Sequence, residues 1–320
     1  MCNRIEDCVL GFATADAMGV PIEFTRRNLN NPLTEMVGYG SHPVPEGTWS
    51  DDTSMMLAEM CSIVEEKGIN FEKIMENFVQ WVKKAKFTAT DELFDIGIST
   101  RNAIFNYANR NLPPKECGMS GIRDNGNGSL MRILPFVIYA YSNNMSEEEV
   151  VNLINDASSL THAHEISKLG CKIYCDYMFE LLNNQTKEEA FEALSTIDYS
   201  RYYSEESIEY YKRILDGTLK NASITEIKSS GFVVDTLEAA LWVTLKTDSY
   251  EKAVVLSINL GDDTDTVGAI TGSINGLIYG KNEIPNRWLD KLRKKEVLIN
   301  ESKKFNDLLN LDMCKKSRKG

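Results

Sequence analysis

Two short segments near opposite ends of the chain concentrate the side chains that could do chemistry: Gly47-Thr48-Trp49-Ser50-Asp51-Asp52-Thr53-Ser54 and Gly261-Asp262-Asp263-Thr264-Asp265-Thr266. Each sets carboxylates among hydroxyls and then opens into an apolar stretch with helical spacing. Ordinary capping, in which one Asp or Ser accepts orphan backbone N–H groups and complements the helix dipole, explains one such residue. It does not explain Asp51 and Asp52 together with the hydroxyls of Ser50, Thr53 and Ser54. If the segments meet, at least four carboxylates share one pocket. Two unit charges about 4 Å apart repel by roughly 4 kcal/mol at an effective dielectric of about 20, so such a pocket needs protons or cations. Neither segment holds His or Cys, and all-oxygen donors point to Mg²⁺, Mn²⁺ or Ca²⁺ rather than Zn²⁺. An EF-hand is disfavoured, because its sixth-position Gly and twelfth-position Glu do not fall into place. Two clusters could hold two ions, an arrangement that orients substrate oxygens and activates water.

Three further segments carry weaker signals. In Asp16-Ala17-Met18-Gly19-Val20-Pro21-Ile22-Glu23-Phe24, an exposed Glu23 after Pro is unremarkable alone, but beside a metal pair it becomes a candidate base. In Asp124-Asn125-Gly126-Asn127-Gly128-Ser129, the glycines would let backbone N–H groups approach an anion at a helix start, although a plain turn reads equally well. In Thr161-His162-Ala163-His164 the two histidines do not share a helix face, so they are poor joint ligands, while one could donate to a phosphate or ribose. His42, in a Pro-flanked loop, receives no role.

The elements that must position these residues read as helices. Capping boxes recur at Ser146/Glu149, Thr186/Glu189 and Ser223/Glu226, each ahead of apolar residues at helical spacing. Asp235 is a plausible N-cap for the helix carrying Leu237, Leu241 and Leu245. Ser129 to Tyr141 is apolar around Pro135, which suits an interrupted buried helix. Small residues at 268, 272 and 276 share one helix face and predict a central helix that another backbone approaches closely. Runs of β-branched residues are scarce, and no linker divides the 320 residues, of which 42% are hydrophobic. The expectation is an all-α chain of ten or more helices in one compact domain.

A net charge of −12 argues against a nucleic-acid partner, which wants a basic stripe to displace counterions. The basic concentrations, Lys291 to Lys295 and Lys315 to Lys319, read as a solvated C-terminal tail. No signal peptide and no apolar run long enough to span a membrane are found. Seven scattered cysteines without a C-x-x-C pair, including Cys171 and Cys175, read as reduced buried thiols, and the expected compartment is the cytoplasm.

Taken in order, the five segments resemble the ADP-ribosylglycohydrolase family, over roughly Arg4 to Gly280. The resemblance implies a single orthogonal multi-helix catalytic domain, residues 1–290, followed by a basic C-terminal helix or tail, residues 291–320. It implies two Mg²⁺ or Mn²⁺ ions, ligated by Ser50, Asp51 and Asp52 from the first cluster and Asp263, Asp265 and Thr266 from the second. Glu23 matches the family's acidic residue near the reactive centre and, with Asp51 and Asp265, forms the implied catalytic set. Gly97 and the Asn125–Gly126–Asn127–Gly128 loop match segments lining an ADP-ribose groove, and His162 matches a ligand-contacting histidine. The chain departs from the family in Ala15 before Asp16, where Gly is usual, and in Ser50 for Thr; Ser195 to Gly231 matches nothing in it.

The implied reaction is hydrolysis of the glycosidic bond between ADP-ribose and an acceptor, most simply an arginine guanidinium on a protein. The ions would fix the distal ribose, and a water positioned by Glu23 or a ligating Asp would attack the anomeric carbon. ADP-ribosyl-serine, O-acetyl-ADP-ribose and an ADP-ribosylated base keep the same site with another acceptor. A non-catalytic ADP-ribose binder and a metal-dependent phosphohydrolase are the readings from other classes.

Overall fold

The chain was analysed as a computed structural model, which describes residues 4–309. Its α-helices, in order, are α1 (Arg4–Gly19), α2 (Asp51–Glu66), α3 (Phe71–Lys84), α4 (Ile98–Arg110), α5 (Leu134–Ser142), α6 (Glu147–Ser159), α7 (Glu165–Leu182) and α8 (Lys187–Ala193). They continue with α9 (Glu205–Glu209), α10 (Lys212–Leu215), α11 (Val233–Lys246), α12 (Tyr250–Ile258), α13 (Thr264–Tyr279), α14 (Asn286–Leu289) and α15 (Lys295–Leu308). The described residues form no β-strand, only isolated bridges between Met119 and His162 and between Gly126 and Phe232. The protein is all-α, as the capping and periodicity imply.

Local signals decide most boundaries. The boxes at Ser146 and Thr186 open α6 and α8 with both reciprocal hydrogen bonds formed. The box at Ser223 also forms, but it closes only a 3₁₀ turn, Ile224–Glu226, because Lys228-Ser229-Ser230-Gly231 offers nothing apolar to bury. Asp235 is not the cap of α11: the helix starts two residues earlier, and Asp235 accepts from Ser230 Oγ at 2.6 Å within its first turn. The Pro135 segment is interrupted as expected, with a 3₁₀ turn at Leu130–Arg132 before α5. Pro135 sits in the first turn of α5, where its missing N–H is not needed.

The helix pair that positions the chemistry is α1 against α13. They run antiparallel at backbone contact: a Cβ on Gly11 would lie 3.0 Å from Gly276 Cα, and one on Gly268 would lie 2.8 Å from the Ala15 carbonyl oxygen. The small-residue stripe at 268, 272 and 276 is therefore the surface that receives α1. Ala15 lies against Gly272. Where α1 ends, a Cβ on Gly19 would collide with the backbone of Asp265, so only glycine lets the first turn of α13 sit there.

The basic run at Lys291 to Lys295 is not a free solvated tail. Lys291 Nζ donates to Met36 O at 2.9 Å, and Lys294 Nζ donates to Thr88 O at 2.7 Å. Lys295 opens α15, which buries Leu298, Ser302 and Phe305 and packs on α1 and α2. An amphipathic face within a run of charges caused the misreading. Lys315 to Lys319 lie outside the described residues. The five described cysteines, Cys171 and Cys175 among them, are buried and free.

Candidate active site

The N-terminus of α2 is built by two caps from different elements. Ser50 Oγ accepts the Asp52 N–H at 3.2 Å, which is ordinary N-capping. Asp16, one turn from the end of α1, accepts the backbone N–H of Ser50 at 2.9 Å, that of Thr53 at 3.1 Å, and the Thr53 hydroxyl at 2.5 Å. That leaves Asp52 to meet α13 and Asp51 to line a groove over the cluster. Thr266 Oγ1 donates to Asp52 Oδ1 at 3.2 Å, which joins the two sequence clusters directly. Carboxylate oxygens of Asp16, Asp52 and Asp265 all lie within 4.8 Å of one another, and so do those of Glu23, Asp263 and Asp265. Asp52 Oδ2 is buried with no hydrogen-bond partner among the described residues.

Glu23 reaches the cluster through a backbone clasp. After α1 and the 3₁₀ turn Val20–Ile22, Phe24 N–H donates to Asp262 O at 2.6 Å and Asp262 N–H returns to Thr25 O at 2.9 Å. Phe24 and Asp262 both take positive φ, 60° and 58°, so the clasp holds two non-glycine residues in the left-handed region. Glu23 is not exposed, as its place after Pro suggested, but 4% exposed. His42 Nε2 lies 2.5 Å from Glu23 Oε2, and Asp95 completes a third group of possible ligands with them.

A groove of about 280 Å³ opens over these carboxylates, lined by Glu23, Asp51, Asp263, Asp265 and Thr266. Its far wall is Gly97 with the first turn of α4, Gly126 to Gly128, Arg123, His162 and Gly231. The glycine loop is tied to the segment before α11 by Asn127 N–H to Gly231 O at 2.9 Å and Val233 N–H to Asn125 O at 3.0 Å. Asp263 N–H donates to Ser229 O at 3.0 Å, so one strap aligns the loop and the second cluster. Asn127 Nδ2 braces Asp263 Oδ2 at 2.9 Å. Asn125 does not face the groove: its Oδ1 accepts the Ser167 N–H and hydroxyl, and its Nδ2 donates to Ile122 O. The helix start expected behind the loop is only a three-residue 3₁₀ turn. The first turn of α4, which has no side-chain cap, lines the groove instead.

Burial dominates the electrostatics, with the neighbouring carboxylates second. Together they hold Asp51, Asp52 and Asp265 well above the usual carboxylate range and push Glu23 up to about 10. Burial alone raises Asp16, to about 6, against the hydrogen bonds that lower it. His162 is pushed the other way, down to about 3, by burial and then by the Arg132 guanidinium, so its ring is neutral.

The structure thus brings Glu23, Ser50, Asp51, Asp52, Asp263, Asp265, Thr266, Gly97, Gly126, Asn127, Gly128 and His162 to one site, and turns Asn125 away from it. Sequence reasoning passed over Asp16, His42, Asp95 and the Ser229–Gly231 strap. Asp16 carries no local signal that sets it apart, since α1 also holds Arg4, Glu6 and Asp7.

Fold and site together define an all-α enzyme whose groove ends in a carboxylate cluster able to hold a cation. The chain belongs to the ADP-ribosylglycohydrolase family, whose model matches residues 1–316. It is 32% identical, over 93% of its length and 77% of the relative's, to an ADP-ribosylarginine hydrolase Tri1 of Serratia proteamaculans (strain 568). It is 26% identical to an ADP-ribosyl-[dinitrogen reductase] glycohydrolase of Rhodospirillum rubrum, covering 92% of this chain and 91% of that one. A solved structure titled ADP-ribosylglycohydrolase-related protein complex superposes with a TM-score of 0.80 at 28% identity, covering 96% of this chain and 98% of its own.

Proposed function

We propose that this chain hydrolyses the glycosidic bond between the distal ribose of ADP-ribose and an arginine guanidinium on a modified protein, with two divalent cations, Mg²⁺ or Mn²⁺. The observation that carries the reading is the junction of the two acidic segments through Thr266 and Asp52, with both three-carboxylate groups sharing Asp265. The donor set fits the cations on two grounds: it is all oxygen, and Asp52 Oδ2 is buried with no hydrogen-bond partner among the described residues. Asp51, Asp52, Asp263 and Asp265 would hold them, with Ser50 and Thr266 supplying hydroxyl oxygens. Asp16 shapes the site by holding the α2 terminus, with its own carboxylate at the cluster edge. Bound there, divalent charge would neutralise the carboxylates and grip ribose hydroxyls.

The protein's own part is orientation and proton transfer. Glu23, fixed by His42 and by the clasp to Asp262, would be ionised only once divalent charge offsets the neighbouring carboxylates that raise it, and in that state it would take a proton from the attacking water. The water oxygen bonds to the anomeric carbon as the carbon–nitrogen bond breaks; its electron pair stays on nitrogen, so the substrate's guanidinium leaves as neutral guanidine and then takes up the proton held by Glu23. The uncapped start of α4, with Gly126, Gly128 and His162, lines the part of the groove that would receive the pyrophosphate. Asp95, beside Glu23 in the groove lining, gives the acceptor side negative charge that suits a cationic guanidinium. The arginine hydrolase among the relatives agrees with that choice.

Release of ADP-ribose from ADP-ribosyl-arginine protein in Mg²⁺ or Mn²⁺ tests the reading. Asp51→Ala and Asp265→Ala should abolish release with helicity intact by circular dichroism. Full activity in either variant would refute the assignment, and release of phosphate or AMP instead would point to a phosphohydrolase.

A further inference from the structure

His162 presents one ring nitrogen to the groove and the other to a buried chain of polar groups. Gly126 and Gly128 leave that first edge uncovered: a Cβ on Gly128 would sit 2.7 Å from His162 Cε1, and one on Gly126 would sit 3.4 Å from Nε2. Among the described residues Nε2 has no hydrogen-bond partner, whereas Nδ1 lies 2.9 Å from Thr161 Oγ1. Behind Thr161 stands Arg132, which donates to Thr161 Oγ1 at 2.7 Å and to Ala157 O at 2.9 Å, and is paired with Glu59. Thr161, Arg132 and Glu59 are all fully buried.

Proton counting then fixes the ring. Arg132 can only donate, so Thr161 Oγ1 accepts from it. The Thr161 hydroxyl proton has His162 Nδ1 as its one partner among the described residues. Were Nδ1 protonated, two donors would face each other and a fully buried O–H would be orphaned. We propose that the Glu59–Arg132–Thr161 chain positions His162 as the Nε2–H tautomer, a neutral donor aimed through the glycine window at an acceptor-only oxygen of the ligand. The imidazole is then a recognition group and not a base, consistent with a ring that stays unprotonated at neutral pH. Glu59 lies on α2 and Arg132 in the 3₁₀ turn after the glycine loop, so the chain also links the metal-side helix to the ligand wall.

The proposal rests on the ADP-ribosyl reading only for the identity of the acceptor, because the tautomer is measured in the free protein. Nitrogen-15 spectra of the histidine-labelled full chain should show His162 with a pyridine-like Nδ1 and a pyrrole-like Nε2 at pH 7. Thr161→Val should average the two nitrogens, and Thr161→Ser should restore the single tautomer. ADP-ribose should move the Nε2–H resonance, and its dissociation constant should rise about twofold in Thr161→Val, because averaging leaves about half of the rings in the donor tautomer. A pyrrole-like Nδ1 in the wild type, or an unchanged pure tautomer in Thr161→Val, overturns the proposal. So does ADP-ribose that binds by calorimetry without shifting Nε2–H. If Thr161→Val does not fold, the wild-type spectrum and the serine variant still decide the matter.

Discussion

Asp52→Asn should make the cation-free protein more stable and the cation-loaded protein less responsive. Asp52 is 1% exposed, and its carboxylate lies within 4.8 Å of those of Asp16 and Asp265. At that separation and an effective dielectric of about 20, each ionised pair costs about 3.5 kcal/mol. Protonation caps the cost: keeping one carboxyl neutral at pH 7 against an ordinary pKa of about 3.9 takes about 4 kcal/mol. The asparagine removes one charge from the cluster, and its amide can donate where Oδ2 has no partner among the described residues. The expected gain is about 2–4 kcal/mol. Spread over the unfolding entropy of a 320-residue chain, that raises Tm by about 3–6 °C in chelator. Cation at about one hundred times its dissociation constant should stabilise the wild type by about 2.7 kcal/mol and the variant much less, so the gap between them narrows or inverts. Differential scanning fluorimetry in EDTA and in Mn²⁺ reads both arms. A lower Tm for the variant in EDTA, or equal Mn²⁺ shifts for both proteins, would refute the crowded-carboxylate reasoning.

Other expectations follow from the same geometry. Carboxylates whose native pKa is raised keep protons that the unfolded chain has released, so their contribution is present below pH 4 and is lost as pH rises through about 6, the value for Asp16, and beyond it for Asp51, Asp52 and Asp265. His162, held down to about 3, opposes this by one proton, so the clean readout is the Mn²⁺-induced Tm shift, which should grow from pH 5 to pH 7; a shrinking shift would contradict it. Thr266→Val removes the hydrogen bond to Asp52, which should cost about 1 kcal/mol and weaken cation affinity in calorimetry, whereas unchanged affinity would detach Thr266 from the site. Gly272→Val would place a Cβ 2.5 Å from Ala15 Cβ and against the Gly11 carbonyl, so it should cost about 3 kcal/mol in denaturant unfolding. A variant as stable as the parent would mean that α1 and α13 are not at backbone contact.

What could be read from the chain was whatever is written locally. The capping boxes and the glycine stripe specify helices and one close helix pair within a few residues of sequence. The acidic clusters were visible because no capping need explains so many oxygens in six or eight residues. What escaped depends on long-range pairing. Asp16 looks like any single aspartate until Ser50 and Thr53 are folded against it, and His42 gains meaning only when its loop returns to Glu23. Ser229 to Gly231 aligns the glycine loop with Asp263 through backbone bonds, which carry no side-chain signature. Asn125 erred the other way: a polar residue in a promising loop was assumed to face a ligand, when its amide was needed to hold Ser167. The Ser223 box shows that a complete cap does not make a helix without an apolar face behind it.

The most direct measurement is anomalous scattering from crystals grown with Mn²⁺ and ADP-ribose. Peaks should appear between Asp52, Asp263 and Asp265, with the distal ribose beside them and the pyrophosphate toward the start of α4. Manganese found only elsewhere, or ADP-ribose seated away from these aspartates, would contradict the assignment of this groove.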